Sequence, residues 1–136
     1  MVSVTNTTEQ TLAVGQSITF DNIALITKNC SESFRNGSSA IRTGVGMFEV
    51  TFGGNIGGTT AAAPVQLSIS VDGAPLIGTN MISTPAAVGD LNSVARVAQF
   101  INDPCIDGGS NVTVTNTGAN PVVVGVGAKL SVRRVG

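Results

Sequence analysis

The stretch VQLSISVDG, residues 65–73, determines which class of fold the sequence can form. In its first seven residues, Val, Leu, Ile and Val fall on one side of an extended chain, and Gln and two Ser fall on the other. This period of two predicts a half-buried β-strand. Asp72-Gly73 follows at once and is a strong signal for a two-residue hairpin turn. The pattern predicts a strand at 65–71 that turns back into a strand at 74–81.

The same alternation recurs along the chain, whereas helical periodicity is nearly absent. Clusters of Gly, Asn, Asp, Ser and Pro separate the alternating segments. The predicted strands are residues 16–26, 39–43, 46–56, 65–71, 74–81, 93–102, 111–116 and 122–135. This spacing predicts an all-β fold, a two-sheet antiparallel jelly-roll sandwich of about 8–10 strands. We expect residues 1–136 to form one such domain, with residues 1–14 as an N-terminal arm or an extra strand.

The predicted core comes mainly from the segments 46–56 and 65–71, where every second residue is apolar. In the first of them, three outward positions, Met47, Glu49 and Thr51, alternate with the inward ones. The predicted core residues are Phe48, Val50, Phe52, Val65, Leu67, Ile69, Val71 and Phe100.

Composition excludes several functions. The 136 residues contain 43 Val, Ile or Thr but no His, Trp or Tyr, and only 11% are charged. Without His, no Ser-His or Cys-His catalysis and no His-ligated metal is available. A net charge of −1 argues against nucleic-acid binding, which needs a basic face, and no run of about 18 apolar residues would span a membrane. The carboxylates are scattered singly, so we predict no enzyme and no cofactor.

Three predicted strand regions, 23–26, 94–101 and 122–124, are apolar on both sides. A strand that is apolar on both sides has to bury both of them, and in a lone sandwich the partner sheet covers only one. The pattern predicts that one sheet is also covered by another chain, in a cyclic oligomer. The alternative is barrel curvature or local irregularity.

The two cysteines, Cys30 and Cys105, show no CxxC spacing. If strands alternate in direction from residue 16, the cysteines lie at opposite ends of the sandwich, too far apart to bridge. An extra short strand within residues 27–38 would remove this argument.

The loop 103–109 holds Asp103 and Asp107, which could contribute to a Ca²⁺ site but are too few for one, so a solvated turn is the simpler interpretation.

The N-terminus lacks the basic start, apolar run and cleavage site of a secretory signal. If Met1 is the natural start, we expect synthesis in a cytoplasm without export by that route. If the chain is excised from a longer one, this expectation does not apply.

Five segments carry a resemblance to a known family: ITFDNI (18–23), GMFEVTF (46–52), VQLSISVDG (65–73), NVTV (111–114) and AKLSVRR (128–134). Over roughly residues 15–135, the sequence resembles the tumour necrosis factor/complement-globular-domain jelly roll. It looks closest to the bacterial and phage branch, which includes the C-terminal domains of collagen-like spore-surface glycoproteins. The resemblance implies a tight homotrimer that acts in adhesion, receptor binding or capping of a stalk.

The sequence departs from the family pattern in two ways. Aromatic residues of the trimer axis are not evident, and a match to the Gly-x-aromatic strand would place Glu49 and Thr51 there instead. Arg96 is a third axis candidate, which could pair with Glu49 between protomers, or the two could be unrelated surface residues. No collagen-like Gly-x-y stalk is present in this chain.

We therefore predict a homotrimeric structural or adhesive module of a phage or virus-like particle, such as a head fibre, decoration protein or receptor-binding tip. Its location would be the virion, after synthesis in the host cytoplasm. Its partners would be capsid or tail proteins, or a host surface glycan or protein, met by loops 53–64 and 79–92. The alternative is an adhesion domain of a bacterial spore coat or cell surface, cut from a collagen-like protein. A lectin is disfavoured because sugar sites usually use Trp or Tyr.

Overall fold

The computed structural model of the chain describes residues 1–27, 32–102 and 109–136. This part of the chain forms thirteen strands. They are β1 (Val2–Thr5), β2 (Gln10–Leu12), β3 (Asn22–Ile26), β4 (Glu32–Phe34), β5 (Ile41–Thr43), β6 (Gly46–Gly58), β7 (Val65–Val71), β8 (Ala74–Pro75), β9 (Met81–Ser83), β10 (Asn92–Asn102), β11 (Ser110–Asn116), β12 (Val122–Val124) and β13 (Lys129–Arg134). They form two antiparallel sheets of seven and six strands, so the predicted all-β sandwich is confirmed.

The long strand β6 is the centre of the larger sheet. On one side, β10 pairs with β6 from Gly46 to Ile56. On the other side, β13 pairs with residues 48–53 and β12 pairs with residues 56–58. β1 and β2 pair with β13 and β12 in turn, and β3 lies beyond β1. The larger sheet therefore runs from an edge at β10 to an edge at β3.

The smaller sheet has the order β4-β5-β11-β7-β8, and β9 also pairs with β7. β7 spans the residues that the alternating sequence predicted, and a tight turn joins it to β8. Asp72 and Gly73 in this turn have φ angles of 52° and 83°. Positive φ at both central residues defines a type I′ turn, so the predicted hairpin is present.

The core lies between the two sheets and contains three fully buried aromatic rings, Phe20, Phe48 and Phe52. The residues predicted as core divide into two groups: Phe48, Val50, Phe52, Val65, Leu67 and Ile69 are buried, and Val71 and Phe100 are partly buried against them. The ring of Phe100 stacks on that of Phe48, with 5.6 Å between centroids. Burial of such side chains stabilises the fold by about 1.5–3 kcal/mol each.

Several predicted strand boundaries are wrong. In the segment 16–26, only Asn22–Ile26 is a strand, and Ser17 makes an isolated bridge to Thr115. The segment 74–81 divides into β8 and β9 at a turn at residues 77–78, where Gly78 has a φ of 86° and the amide and hydroxyl of Thr79 donate to the Leu76 carbonyl. Residues 1–14 contain two strands, β1 and β2.

The predicted strand 122–135 divides into β12 and β13 because Asn6 holds the connection between them. Its side chain accepts a hydrogen bond from the Ala128 amide at 2.7 Å. It also donates to the carbonyls of Thr8 and Gly125, each at 3.0 Å. Asn6 is 1% exposed, so water cannot replace these contacts.

Two other buried asparagines connect segments in the same way. Asn102 donates to the Thr43 hydroxyl and the Gly44 carbonyl, and it accepts from the Ser110 hydroxyl. Asn116 donates to the carbonyls of Leu12 and Asn120 and accepts from the Gly118 amide. Each neutral amide thereby satisfies backbone or hydroxyl groups of two or three chain segments.

The topological argument against a disulfide does not hold. It required that no further strand occur within residues 27–38, and β4 lies there. Cys30 and Cys105 themselves lie outside the described residues, as do Asp103 and Asp107.

We expect Asn6→Ala to lower the free energy of unfolding by about 3 kcal/mol, because it leaves buried backbone groups without partners. Urea unfolding followed by circular dichroism measures this loss. Asn22→Ala is the control, since Asn22 is exposed and its side-chain amide donates to the Thr5 hydroxyl, which is not a buried group. The control should lose less than about 1 kcal/mol. Equal losses in the two variants would show that Asn6 does not hold the connection.

Candidate functional site

The outward face of the larger sheet, called here the open face, is the first candidate site. The register aligns side chains of neighbouring strands in rows, because residues opposite each other in antiparallel strands share a side. One row crosses five strands. It consists of Val97 (β10), Thr51 (β6), Ser131 (β13), Ser3 (β1) and Leu25 (β3).

The centre of the open face is polar. The hydroxyls of Ser3 and Ser131 are 2.7 Å apart and hydrogen-bonded. In the next row, Arg133 forms an ion pair with Glu49 at 3.1 Å. Ser131, Arg133 and Glu49 line a shallow depression of about 260 Å³, together with Met1 and Thr51. Glu49 and Thr51, two of the predicted axis residues, therefore lie together at the middle of the face.

The third predicted axis residue, Arg96, does not join them. Arg96 lies opposite Phe52 in the register, on the side of β10 that faces the sandwich interior. Because β10 is an edge strand, the Arg96 side chain remains exposed, and it donates to the Ala95 carbonyl. Within one chain, Glu49 has Arg133 as its cationic partner, and Arg96 belongs to the opposite side of the sheet.

Both edges of the open face carry exposed apolar side chains. On β10, Val97 is 62% exposed and Ile101 is 65% exposed. On β3, at the far edge, Leu25 is 50% exposed. β10 and β3 are two of the three regions that the sequence identified as apolar on both sides. In the third, Val123 points into the cavity described next.

A cavity of about 220 Å³ at one end of the sandwich, called here the end cavity, is the second candidate site. Residues 57–59 and 88–91, which belong to the two predicted recognition loops, form most of it. The Ala62 amide donates to the Pro85 carbonyl at 2.9 Å and joins those loops. The structure thus brings the two predicted recognition segments together around one cavity.

Gly57 fixes the wall of the end cavity. A Cβ atom at this position would lie 2.4 Å from the Asp90 carbonyl oxygen and 2.8 Å from the Leu91 side chain. No side chain fits in that space, so glycine allows the 88–91 segment to pack directly on β6. A Cβ atom at Gly125 would lie 2.9 Å from the Leu91 side chain, so a second glycine lets Leu91 lie close to the β12–β13 connection.

Two carboxylates, Glu9 and Asp90, line the end cavity with three apolar side chains, Val88, Leu91 and Val123. Glu9 follows a short loop that Asp21 holds in place. The Asp21 carboxylate accepts hydrogen bonds from the Thr7 hydroxyl at 2.6 Å and the Thr7 amide at 2.8 Å. Sequence reasoning missed Glu9, since a single exposed glutamate before a strand carries no motif.

A wider groove of about 610 Å³ lies beside β2 and is lined by Gln10, Gln16 and Thr19. The side-chain oxygens of its two glutamines already accept hydrogen bonds from within the chain. The Gln10 oxygen accepts from the amide and hydroxyl of Thr19, and the Gln16 oxygen accepts from the Ala13 amide. This groove therefore offers a ligand fewer free polar groups than its size suggests.

Within residues 1–27, 32–102 and 109–136, no three or more His, Cys, Asp or Glu side chains group closely enough to hold a metal ion. In the same ranges, no helix is long and apolar enough to cross a membrane.

No protein-family model and no curated protein matches the chain. Its fold is nevertheless similar to those of solved structures. Eiger TNF from S. frugiperda aligns with a TM-score of 0.72 at 8% identity, over 99% of this chain and 91% of that one. Murine APRIL, in a crystal structure at pH 5.0, aligns with a TM-score of 0.65 at 13% identity, over 97% of this chain and 96% of that one.

The vertex protein P5 of PRD1 aligns with a TM-score of 0.50 at 10% identity, over 99% of this chain and 96% of that one. These likenesses define the class of the chain as a jelly-roll domain with a TNF-like fold. At such low identities they establish the fold, and they leave activity and partners to be argued from the surface.

The contact between Asp21 and Thr7 predicts a pH dependence. Hydrogen bonds from the Thr7 hydroxyl and amide hold the pKa of Asp21 below its ordinary value of 3.8. A carboxyl with a lowered folded-state pKa stabilises the fold above its ordinary pKa, and this contribution is lost as the pH falls through the folded-state value. We expect Asp21→Asn to lower the melting temperature at neutral pH and to reduce its decline below about pH 4.

Melting temperatures measured from pH 7 to pH 2 test this. Thr7→Val is the matched variant, because it keeps the carboxyl and removes the hydroxyl donor. It should fall between wild type and Asp21→Asn. A wild-type pH profile in Asp21→Asn would rule out the contribution.

Proposed function

We propose that the chain is a non-catalytic, homotrimeric structural and binding module. The observation that carries this proposal is the open face, with exposed apolar side chains at its two opposite edges, β10 and β3. Exposed apolar surface of this kind is typical of protein interfaces.

The placement of these side chains favours a ring. The apolar residues lie at opposite edges of one sheet, so a contact that joins the β10 edge of one protomer to the β3 edge of the next uses two different surfaces. Such a heterologous contact forms a closed ring when the rotation that relates neighbouring protomers divides a full turn into equal parts. The TNF-like fold and the family resemblance favour three protomers. In that arrangement Glu49 and Thr51 would lie towards the axis.

The low charge of the chain supports the same proposal. Only 11% of the residues are charged, so charge repulsion between copies of the chain opposes their association only weakly. The Glu49–Arg133 pair lies in the polar centre of the open face, where a partly exposed ion pair contributes less than about 1 kcal/mol to stability. Its effect would be on the alignment of protomers more than on their affinity.

We further propose that the trimer is a component of a phage or virus-like particle, such as a head fibre, decoration protein or receptor-binding tip, and that it is located on the virion. The fold similarity to the PRD1 vertex protein supports this assignment, as does the family resemblance. The alternative remains an adhesion domain of a spore coat or cell surface. The coding sequence upstream of Met1 separates them, since Gly-x-y repeats there would favour the spore coat.

We expect wild-type protein to be a trimer of about three times 13.7 kDa in light scattering. Val97→Asp should dissociate it, because a carboxylate buried in an apolar contact without a partner is strongly unfavourable. Ile82→Asp is the matched control, since Ile82 on β9 of the smaller sheet is 61% exposed, against 62% for Val97.

The control should remain trimeric. A monomeric wild type at concentrations up to about 100 μM, or dissociation of both variants alike, would contradict assembly through the open face.

A further inference from the structure

We propose that the end cavity binds a lysine side chain of a partner protein. The aliphatic stem would pack against Val88, Leu91 and Val123, and the ammonium group would be held by the carboxylates of Glu9 and Asp90. This inference rests on the proposed binding function and specifies the chemistry of the partner that the recognition loops meet.

The size of the cavity points to a single side chain. Sites for whole small molecules usually enclose about 300–1,000 Å³. The end cavity has a volume of about 220 Å³ and lies between the end of β6 and the 88–91 segment, at one end of the sandwich. A protruding side chain of a larger partner can enter such a space while the rest of the partner contacts the loops.

The charges point to a cation. In the described part of the chain, four carboxylate side chains have partners: Asp21 with Thr7, Glu32 with the N-terminus and Arg134, Glu49 with Arg133, and Asp72 with Asn111. The carboxylate groups of Glu9 and Asp90 make no hydrogen bond or ion pair with any residue that the structure describes, although the Asp90 backbone amide donates to the Ala87 carbonyl. These two line the same cavity, and among the described residues that line it there is neither Lys nor Arg.

The apolar lining points to lysine among the cations. A lysine carries a compact ammonium on a flexible four-carbon stem, and such stems pack along apolar surfaces while the charge stays near water. Arginine is suited to flat bidentate contacts and to stacking on aromatic rings. None of the described residues that line the cavity is aromatic.

Each contact would be weak, because both carboxylates are exposed and water and salt screen them. A trimer would present three such cavities. Simultaneous use of several sites converts weak single contacts into strong overall binding without any new contact. Weak single-site binding is therefore what we expect for a small probe.

The test is an NMR titration of the ¹⁵N-labelled full chain with Nα-acetyl-lysine methylamide. We expect saturable shifts at the amides of Gly57, Gly58 and Gly89, with a dissociation constant of about 1–10 mM. Nα-acetyl-norleucine methylamide has a similar stem without the charge and should bind at least about tenfold more weakly. Nα-acetyl-arginine methylamide should also bind more weakly than the lysine probe.

Glu9→Gln and Asp90→Asn should each weaken binding of the lysine probe about threefold to tenfold. Asp72→Asn is the matched control. It also removes one negative charge, it lies outside the cavity, and Asn-Gly suits the same type I′ turn. The control should bind the probe as wild type does, and the amide spectrum of each variant shows whether it is folded.

Absence of shifts at these glycines overturns the proposal. Equal binding of the norleucine probe would mean a general apolar pocket, tighter binding of the arginine probe would exclude lysine selectivity, and an equal loss in Asp72→Asn would mean non-specific attraction. Light scattering on the same samples reports assembly separately, so the lysine site can fail while the proposed trimer stands.

Discussion

The pairing of β6 with strands on both its sides is the constraint on which the larger sheet depends. Thirteen residues of β6 accept β10 along one side and β13 and β12 in succession along the other. This register decides which side chains of these three strands face the core and which face outward. A shift by one residue would exchange the two sets, placing Glu49 in the core and Phe48 outside. The buried rings Phe48 and Phe52 oppose any such shift.

The sequence predicts the fold best where alternation continues over seven or more residues, as in 65–71 and 46–56. It predicts the short strands poorly. β2, β4 and β5 have three residues each, too few to establish a period. The sequence predicts one strand over residues 122–135. The break between β12 and β13 depends on hydrogen bonds to Asn6, which is distant in sequence.

For the candidate sites too, the sequence predicts what alternation along one strand determines and misses what depends on distant segments. Alternation along 46–56 was sufficient to place Glu49 and Thr51 together on the outward side. The same rule groups Arg96 with Ala98 and Phe100 on the inward side of β10, so its separation from Glu49 follows from parity. The end cavity could not be predicted, because Glu9, Gly57 and Asp90 meet only after three distant segments pack together. The predicted recognition segments 53–64 and 79–92 contribute most of its lining, although the structure has Gly57 and Gly58 in β6 and not in a loop.

The three buried asparagines have a consequence for the environments that the domain can tolerate. Asn6, Asn102 and Asn116 hold chain connections through neutral hydrogen bonds shielded from water. Dissolved ions screen exposed charges over a Debye length of about 8 Å at physiological ionic strength, but they have little effect on buried amide contacts. The connections that shape the ends of the sandwich should therefore be almost indifferent to ionic strength. The connections that these three asparagines hold would keep the same geometry in dilute water and in concentrated brine.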